Sequence, residues 1–245
     1  FDHHLSETLR LGRIPKNYIV DADAPSAARV VFDHFGGKKA FPKVSDDLMT
    51  AVDKSDAGQF SEAEIVDPQD WVMLNYLLDA RTGLGRFRHF RISNYDLMLG
   101  LVDTCRSKSA AEILATADVQ ERIALYREHE RPFREQLRRC TEVEGNLGIV
   151  DLRKQDPIYV GNRFMVYALF PEVRVSIHVL RGLEGLNTVL AVGKSVLNRS
   201  AAVNIGEMLL DYGGGGHANA GTCQVDNEDA DRILGEIVRR IGRTP

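Results

Sequence analysis

The chain has 245 residues, enough for one large or two modest domains, and its 44% hydrophobic content suffices for a packed core. A net charge of −4 argues against an extended nucleic-acid surface, although a small anion needs only a local positive pocket. No apolar run approaches the length of a membrane span. The three widely spaced cysteines form neither a metal pattern nor a disulfide framework. We therefore expect free thiols and a cytoplasmic protein.

The first part of the chain reads mainly as helices after one short strand. An apolar run predicts a strand at 18–20, and Ser26 opens a helix that Gly36 and Gly37 end. Apolar residues at helical spacing predict further helices at 46–55, from Asp67 onwards and at 95–104. We therefore expect an α/β lobe over residues 1–110.

A long charged helix follows, over about 117–140, and Pro132 should kink or restart it. The hydrophobic period then changes, which predicts strands at 148–151, 163–169, 174–180 and 187–192, and helices at 202–210 and 229–241. The sequence therefore predicts the α/β class, with a helical linker at 111–145 and a smaller mixed α/β domain at 146–245.

The two ends of the chain carry its most informative motifs. The chain opens on Phe1-Asp2-His3-His4, and four glycines, Gly213–Gly216, run into His217. Acid and imidazole side chains are ligands for a catalytic divalent metal. A glycine run lets backbone N–H groups approach an anion closely. Together these motifs indicate metal-assisted chemistry on a phosphate, shared between two parts of the chain.

With Asn219-Ala220-Gly221 after the second motif, the chain resembles the DHH superfamily of phosphoesterases, in the branch with a DHH-associated C-terminal domain. That branch includes RecJ-type exonucleases, nanoRNase/pAp phosphatases, cyclic-dinucleotide phosphodiesterases and exopolyphosphatase-related proteins. The resemblance covers essentially the whole chain and is strongest over 213–221. It implies the remainder of a parallel-sheet DHH domain at 1–110 and a substrate-binding domain at 146–245.

One part of the family pattern is missing. Family members carry a His-x-Asp-x-Asp motif and a further Asp ahead of the Asp-His-His motif, and here only Phe1 precedes it. We therefore expect a C-terminal fragment that lacks roughly a hundred residues and most metal ligands, and that is inactive alone. Asp21-Ala22-Asp23 follows the motif and lacks a leading His, so it is interpreted as a strand end and helix entry.

The resemblance also implies roles for the residues of the first motif. His3 would bind a metal of a two-metal site, typically Mn²⁺, with Mg²⁺ or Co²⁺ as alternatives. His4 would face the substrate phosphate, and Asp2 would orient an imidazole. The family supplies a later Asp, often as Asp-x-Gly-x-Phe, and the stretch that begins at Asp56 fits this pattern. Asp56 is therefore the expected ligand, and Asp53 is the alternative.

The glycine run would hold backbone donors against a phosphate, with His217 adding a hydrogen bond or a positive charge. The plainer interpretation is a tight connection between elements with a structural histidine. Four consecutive glycines lose much backbone entropy on folding, which favours a functional explanation for Gly213, Gly214, Gly215 and Gly216.

Four further residues resemble a strand end that grips the distal part of the substrate: Lys194, Ser195, Asn198 and Arg199. Many relatives carry Arg-Ser where this chain has Lys194-Ser195, which weakens the case for bidentate phosphate recognition. A second basic cluster surrounds two glycines and is interpreted as a solvated loop rather than an extension of the phosphate cleft: Arg81, Arg86, Arg88 and Arg91.

These expectations lead to a divalent-metal-dependent phosphohydrolase or phosphodiesterase. Metal-activated water would attack phosphorus in a small nucleotide or short oligonucleotide, held across a groove where the two ends of the chain meet. The alternatives are an exopolyphosphatase-like hydrolase of inorganic polyphosphate and a non-catalytic nucleotide-binding regulator. The expected partner is a small phosphorylated substrate; a membrane is not expected, and a homodimer is allowed.

Overall fold

The computed structural model describes residues 1–3 and 15–243, and within this part of the chain it separates two units. The first unit comprises residues 1–3, 23–135 and 158–165, and the second comprises residues 15–22, 136–157 and 166–243. The described residues of the first unit form helices, whereas the second unit contains a six-stranded sheet and helices. The α/β class predicted from the sequence is therefore confirmed.

The helices of the first unit are α1 (Ala27–His34), α2 (Asp46–Asp56), α3 (Glu62–Val66), α4 (Asp70–Leu78), α5 (Asn94–Thr104), α6 (Ala110–Leu114) and most of α7 (Ala117–Cys140). Serine begins five of them. Each of these side chains accepts a hydrogen bond from the amide three residues on: Ser26, Ser45, Ser61, Ser93 and Ser109. Each cap contributes about 1 kcal/mol and fixes where its helix begins.

The long helix α7 is continuous through Pro132, so the predicted restart at this residue is wrong. Proline removes one backbone donor from the helix, but buried side chains on both sides hold the segment in place. Tyr126, Phe133 and Leu137 are each less than a tenth exposed. The division between the two units falls inside this helix, between Glu135 and Gln136.

The predicted strand at 18–20 is also wrong. Lys16 and Asn17 lie in a turn, Val20 is an isolated bridge residue, and Tyr18 is 44% exposed. Three apolar residues are too few to distinguish a strand from an extended surface segment. Within residues 1–3, 23–135 and 158–165 the structure contains no sheet, so the expected parallel sheet is not seen in this part of the chain.

The sheet of the second unit is mixed. Its strands are β1 (Thr141–Glu144), β2 (Leu147–Asp151), β3 (Val175–Arg181), β4 (Thr188–Lys194), β5 (Gly215–His217) and β6 (Ala220–Val225). They lie in the order β1-β2-β3-β4-β6-β5, so β5 is an edge strand. The β2–β3 pair is parallel, and the other pairs are antiparallel.

Three helices complete the second unit: α8 (Met165–Leu169), α9 (Ile205–Leu210) and α10 (Ala230–Gly242). The predicted strand at 163–169 is wrong, because α8 occupies this segment. A short apolar run that is buried on every side, as Val166 and Tyr167 are, does not reveal its period. No described helix of either unit is long and apolar enough to span a bilayer.

The core of the second unit lies between the sheet and the last two helices. Its largest fully buried side chains are Ile177, Leu190, Ile205, Leu209 and Ile237. Burial of a branched aliphatic side chain contributes about 2 kcal/mol, so this cluster holds α9 and α10 on the strands. The position of α9 matters for the site, because it lies against β5 and the glycine run.

Candidate active site

His3 is held between a backbone carbonyl and a carboxylate in the first unit. Its Nδ1 lies 3.1 Å from the carbonyl oxygen of Ala24, and its Nε2 lies 3.1 Å from Oδ2 of Asp56. Because a carbonyl oxygen only accepts, Nδ1 carries a hydrogen, and a neutral ring presents its Nε2 lone pair to Asp56. A proton or a cation must therefore share the space between these two acceptors.

The His3 ring is well shielded, and its partner is more open. The His3 side chain is 8% exposed, whereas that of Asp56 is 38% exposed. Asp56 Oδ2 also lies 3.3 Å from the backbone N–H of Ala27, at the start of α1. The last turn of α2 and the entry to α1 thus hold an imidazole and a carboxylate together on an accessible surface.

Asp2 contacts the backbone of His3. Its Oδ1 accepts a hydrogen bond of 2.8 Å from the His3 N–H. The contact steadies the chain that carries the imidazole. The second imidazole of the motif, His4, lies outside the described residues.

Asp53, the alternative ligand, has different hydrogen-bond partners from Asp56. Its Oδ1 accepts a 2.7 Å hydrogen bond from the hydroxyl of Ser26, and its Oδ2 accepts one of 3.0 Å from Nε of Arg29. The hydrogen bond that Arg29 donates to Asp53 raises the pKa of Arg29. Both carboxylate oxygens of Asp53 have protein donors, and this residue clamps α1 to α2. The geometry therefore favours Asp56 over Asp53 as a ligand.

His3 and Asp56 fit two positions around one divalent ion. Bonds of about 2.1 Å to a shared ion place neighbouring octahedral donors about 3 Å apart, which is close to the observed 3.1 Å. The hydrogen on Nδ1 points Nε2 toward the ion, as in most metal-binding histidines. Within residues 1–3 and 15–243 no three His, Cys, Asp or Glu side chains group as a metal site. If a metal binds here, these two residues would supply only part of its ligand set.

The glycine run of the second unit is a turn followed by an edge strand. Gly213 lies in the turn after α9 with φ of +72°, and β5 pairs with β6 through Gly216↔Gly221 and His217↔Ala220. A Cβ on Gly216 would overlap the carbonyl of Ala220. A Cβ on Gly214 would likewise overlap the carbonyl of Thr222. Backbone packing therefore requires both glycines.

Gly215 is the exception in this run. A Cβ built on it meets only Cδ2 of Leu210, at an ordinary contact distance of 3.7 Å. The other three glycines are explained by a positive φ or by a close backbone approach, whereas the fold does not demand glycine at this position. A bare backbone on an edge strand suits the approach of an anionic group.

The sheet register brings Lys194 and His217 to the same end of the second unit. Gly193 pairs with Ala220, which pairs in turn with His217. Lys194 follows Gly193 and donates its backbone N–H to the carbonyl of Asn219, at 2.8 Å. Burial lowers the pKa of Lys194. Lys194 at the end of β4 and His217 at the end of β5 therefore lie at the same end of the sheet, with β6 between their strands.

The other residues of the predicted strand-end cluster mainly stabilise the turn after β4. Ser195 is 3% exposed, and its Oγ accepts hydrogen bonds from the amides of Leu197 and Asn198. Asn198 Oδ1 accepts a 2.6 Å hydrogen bond from the hydroxyl of Ser200. Arg199 is exposed, and its Nε lies 3.3 Å from the carbonyl of Val196. Ser195 and Asn198 are thus engaged within the turn, and Lys194 and Arg199 are the two positively charged members of this cluster.

A solved structure of high sequence identity is similar to the chain over nearly its whole length. The pGpG-specific phosphodiesterase PggH from Vibrio cholerae is 45% identical, with a TM-score of 0.75, and the match covers 98% of this chain and 89% of that one. The chain belongs to the DHH superfamily of phosphoesterases. The resemblance drawn from the sequence motifs is therefore confirmed.

Two more distant structures also match this DHH phosphoesterase. An exopolyphosphatase-related protein from Bacteroides fragilis is 14% identical, with a TM-score of 0.49, over 97% of this chain and 62% of that one. The DHH domain of a member of the s1p family of ribosomal proteins is 13% identical, with a TM-score of 0.49, over 89% of this chain and 55% of that one. No family model and no curated protein matches the chain.

The DHH phosphoesterase has a further polar pocket in its first unit, which the motifs did not indicate. Its volume is about 190 Å³, and its lining includes Ser55, Asn75, Asp79, Arg81 and Arg163. Arg81 was predicted to lie in a solvated loop, and Arg163 was placed in a strand. No local spacing could have revealed this pocket, because its lining comes from three separate stretches of sequence.

Proposed function

We propose that this DHH phosphoesterase is a divalent-metal-dependent phosphodiesterase of small nucleotides or very short oligonucleotides. The observation that carries the proposal is the facing pair of His3 Nε2 and Asp56 Oδ2, at 3.1 Å, held on an accessible surface. The specificity of the Vibrio relative for pGpG supports a dinucleotide as substrate.

In this proposal the first unit serves as the DHH domain. His3 and Asp56 are two ligands of the metal, with Mn²⁺ as the first candidate and Mg²⁺ or Co²⁺ as alternatives. The Ala24 carbonyl keeps the proton of His3 on Nδ1, so that the lone pair of Nε2 would bind the ion. A bound divalent ion supplies an acidified water and neutralises charge on the phosphoryl oxygens. Asp2 steadies the backbone of His3, and His4 is proposed to face the substrate phosphate.

The second unit serves as the DHH-associated, substrate-binding domain. Gly215 offers backbone that an anionic oxygen can approach, and the other glycines of the run set the path of that strand. Lys194 and His217, at the same end of the sheet, add positive charge and a hydrogen-bond donor. Arg199 is proposed to contact the distal part of a substrate, and Ser195 and Asn198 to act by shaping the turn.

A substrate panel with a matched histidine variant tests the proposal. The full-length protein is assayed with pGpG, pAp, a cyclic dinucleotide and polyphosphate, each with Mn²⁺ and with a chelator. We expect the dinucleotide to be hydrolysed in the assays that contain Mn²⁺ and not in those that contain the chelator. We also expect His3→Ala to lower the rate by at least about 100-fold, because the metal loses a ligand.

The control for this variant is His89→Ala, since His89 is exposed. The control should retain the rate, and both variants should unfold at the wild-type midpoint. Calorimetry with Mn²⁺ should show weaker binding in His3→Ala only. Metal-dependent turnover retained in His3→Ala would contradict the ligand assignment, and exclusive activity on polyphosphate would contradict the substrate class.

A further inference from the structure

The polar pocket of the first unit lies beside the proposed metal ligands. Ser55, which lines it, immediately precedes Asp56 in the last turn of α2. Asn75 comes from α4, and Arg81 and Arg163 come from two other segments. A group bound here would therefore lie next to the helix turn that carries Asp56.

The two arginines stand on segments that are joined by a buried backbone hydrogen bond. The amide of Gly161 donates to the carbonyl of Thr82 at 3.1 Å. Thr82 is 2% exposed, and a Cβ on Gly161 would overlap the ring of Phe133 on α7, so both ends of this hydrogen bond lie in closely packed surroundings. Arg81 precedes this bond on one segment, and Arg163 follows it on the other. The fold thus sets the two guanidinium groups on a common, rigid base.

Each guanidinium is also oriented by a neighbour. Arg163 lies over the ring of Phe164, with its Cζ 4.5 Å from the ring centroid, and Phe164 is itself a core residue at 7% exposure. Arg81 Nε donates to Oδ1 of Asp79 at 2.7 Å, while the Arg81 side chain is 58% exposed. Side chains held in this way lose little entropy when they bind a ligand.

The chemistry of the lining favours an anion. Arg81 and Arg163 carry two positive charges, and Asp79 carries one negative charge. The carboxylate of Asp79 already accepts a hydrogen bond from Arg81. Asn75 and Ser55 add an amide and a hydroxyl that can donate. Guanidinium groups bind phosphate oxygens with charge-assisted hydrogen bonds, often in pairs. A phosphate monoester fits this donor-rich pocket of about 190 Å³.

We propose that this pocket binds the terminal phosphate of a short nucleotide substrate, with Arg81 and Arg163 as the specificity-determining residues. The inference rests on the proposed function and deepens it, because it names the feature of the substrate that the first unit recognises. A phosphorylated dinucleotide is then preferred to the same dinucleotide without its terminal phosphate.

Three dinucleotides and a set of arginine variants test this inference. Binding of pGpG, GpGp and GpG is measured with a chelator present, so that hydrolysis plays no part. We expect the wild-type protein to bind one phosphorylated form at least about tenfold more tightly than GpG, because the pocket supplies charged donors. Arg163→Gln should abolish this preference and leave the affinity for GpG unchanged.

Two further variants guard against a structural explanation. Arg163→Lys keeps the charge over Phe164 but loses the planar fork, so it should recover only part of the preference. Arg81→Gln changes an exposed side chain and should weaken binding of the phosphorylated form without shifting the unfolding midpoint. Arg88→Gln, an exposed arginine nearby in sequence, is the matched control and should behave as wild type.

The outcomes separate this inference from the proposed function. Equal losses for GpG and its phosphorylated forms, or no preference in the wild-type protein, would overturn the phosphate pocket. Either result would leave the metal-dependent hydrolysis of dinucleotides intact. Conversely, a phosphate preference that needs both arginines, in a protein without hydrolytic activity, would support the pocket while contradicting the proposed reaction.

Discussion

Two carboxylates one helical turn apart on α2 have different surroundings. Asp53 accepts hydrogen bonds from Ser26 and Arg29, and its side chain is 15% exposed. Asp56 faces His3, and its side chain is 38% exposed. Identical chemical groups therefore serve separate purposes, because one is enclosed by donors on α1 and the other opens toward an imidazole.

This contrast predicts opposite outcomes for two single-atom substitutions. Asp53→Asn should lower the free energy of unfolding by about 1–3 kcal/mol, because the Ser26 hydroxyl and the Arg29 guanidinium lose a charged acceptor. Asp56→Asn should change stability little but weaken Mn²⁺ binding. Urea unfolding and calorimetry of both variants provide the measurement. A metal affinity that depends on Asp53 alone would reverse the assignment of the ligand.

At the scale of elements, the glycines of β5 differ in whether the fold leaves room for a side chain. Gly215→Val adds a side chain where the nearest atom is Leu210 Cδ2. The variant should fold and bind the substrate less tightly, because the bare strand is covered. Gly216→Ala places a methyl group against the carbonyl of Ala220 at a φ of +146°, and should destabilise the second unit.

Circular dichroism melts and nucleotide titration, made on both glycine variants, separate these effects. Gly216→Ala is the reference for a structural glycine. Normal nucleotide binding by Gly215→Val would show that the edge strand takes no part in recognition. An unfolding midpoint of Gly215→Val as low as that of Gly216→Ala would show that all these glycines are structural.

The elements differ in how far the sequence predicts them. Helix α1 was predicted from Ser26 and the two glycines that end it, and α2 and α5 were predicted from apolar residues at helical spacing. Strand β5 was missed because glycines carry no alternation of polar and apolar side chains. Segment 165–169 was misread because its burial hides its period. Local patterns therefore failed for β5, which carries few side chains, and for α8, which is buried on every side.

The candidate site shows the same limit. The motifs selected His3 and the glycine strand as candidates, because metal and phosphate chemistry leave compact signatures. They favoured Asp56 over Asp53 through the family pattern alone, and they could not show that donors at the start of α1 enclose Asp53. They gave no sign of Arg163 in a pocket, since its neighbours there come from distant stretches. Contacts between segments decide such questions.

The free energy of unfolding of the whole molecule should depend on pH through the thiol of Cys223. Burial raises the pKa of Cys223 to about 11, from an ordinary value of 9.0. Below pH 9 the thiol is protonated in both states. Between about pH 9 and 11 the unfolded chain loses this proton and the folded chain keeps it, so the free energy of unfolding falls as pH rises.

The measurement is urea unfolding from pH 8 to 11 for the wild-type protein and Cys223→Ala. Other groups titrate in both proteins, so the difference between the two slopes isolates Cys223. The wild-type protein should lose more stability than the variant over this range. The same slope for both proteins would mean that the thiol ionises equally in the folded and unfolded states.

The path of the chain between the units limits how the gene can be dissected. Residues 158–165 belong to the first unit although they follow β2 of the second. They contribute Val160 and Phe164 to its core, and the Asn162 amide donates to the carbonyl of Ile65. Truncation of the chain at a single point therefore cannot yield either unit intact. Separate expression of the halves requires a grafted copy of this octapeptide or a circularly permuted gene.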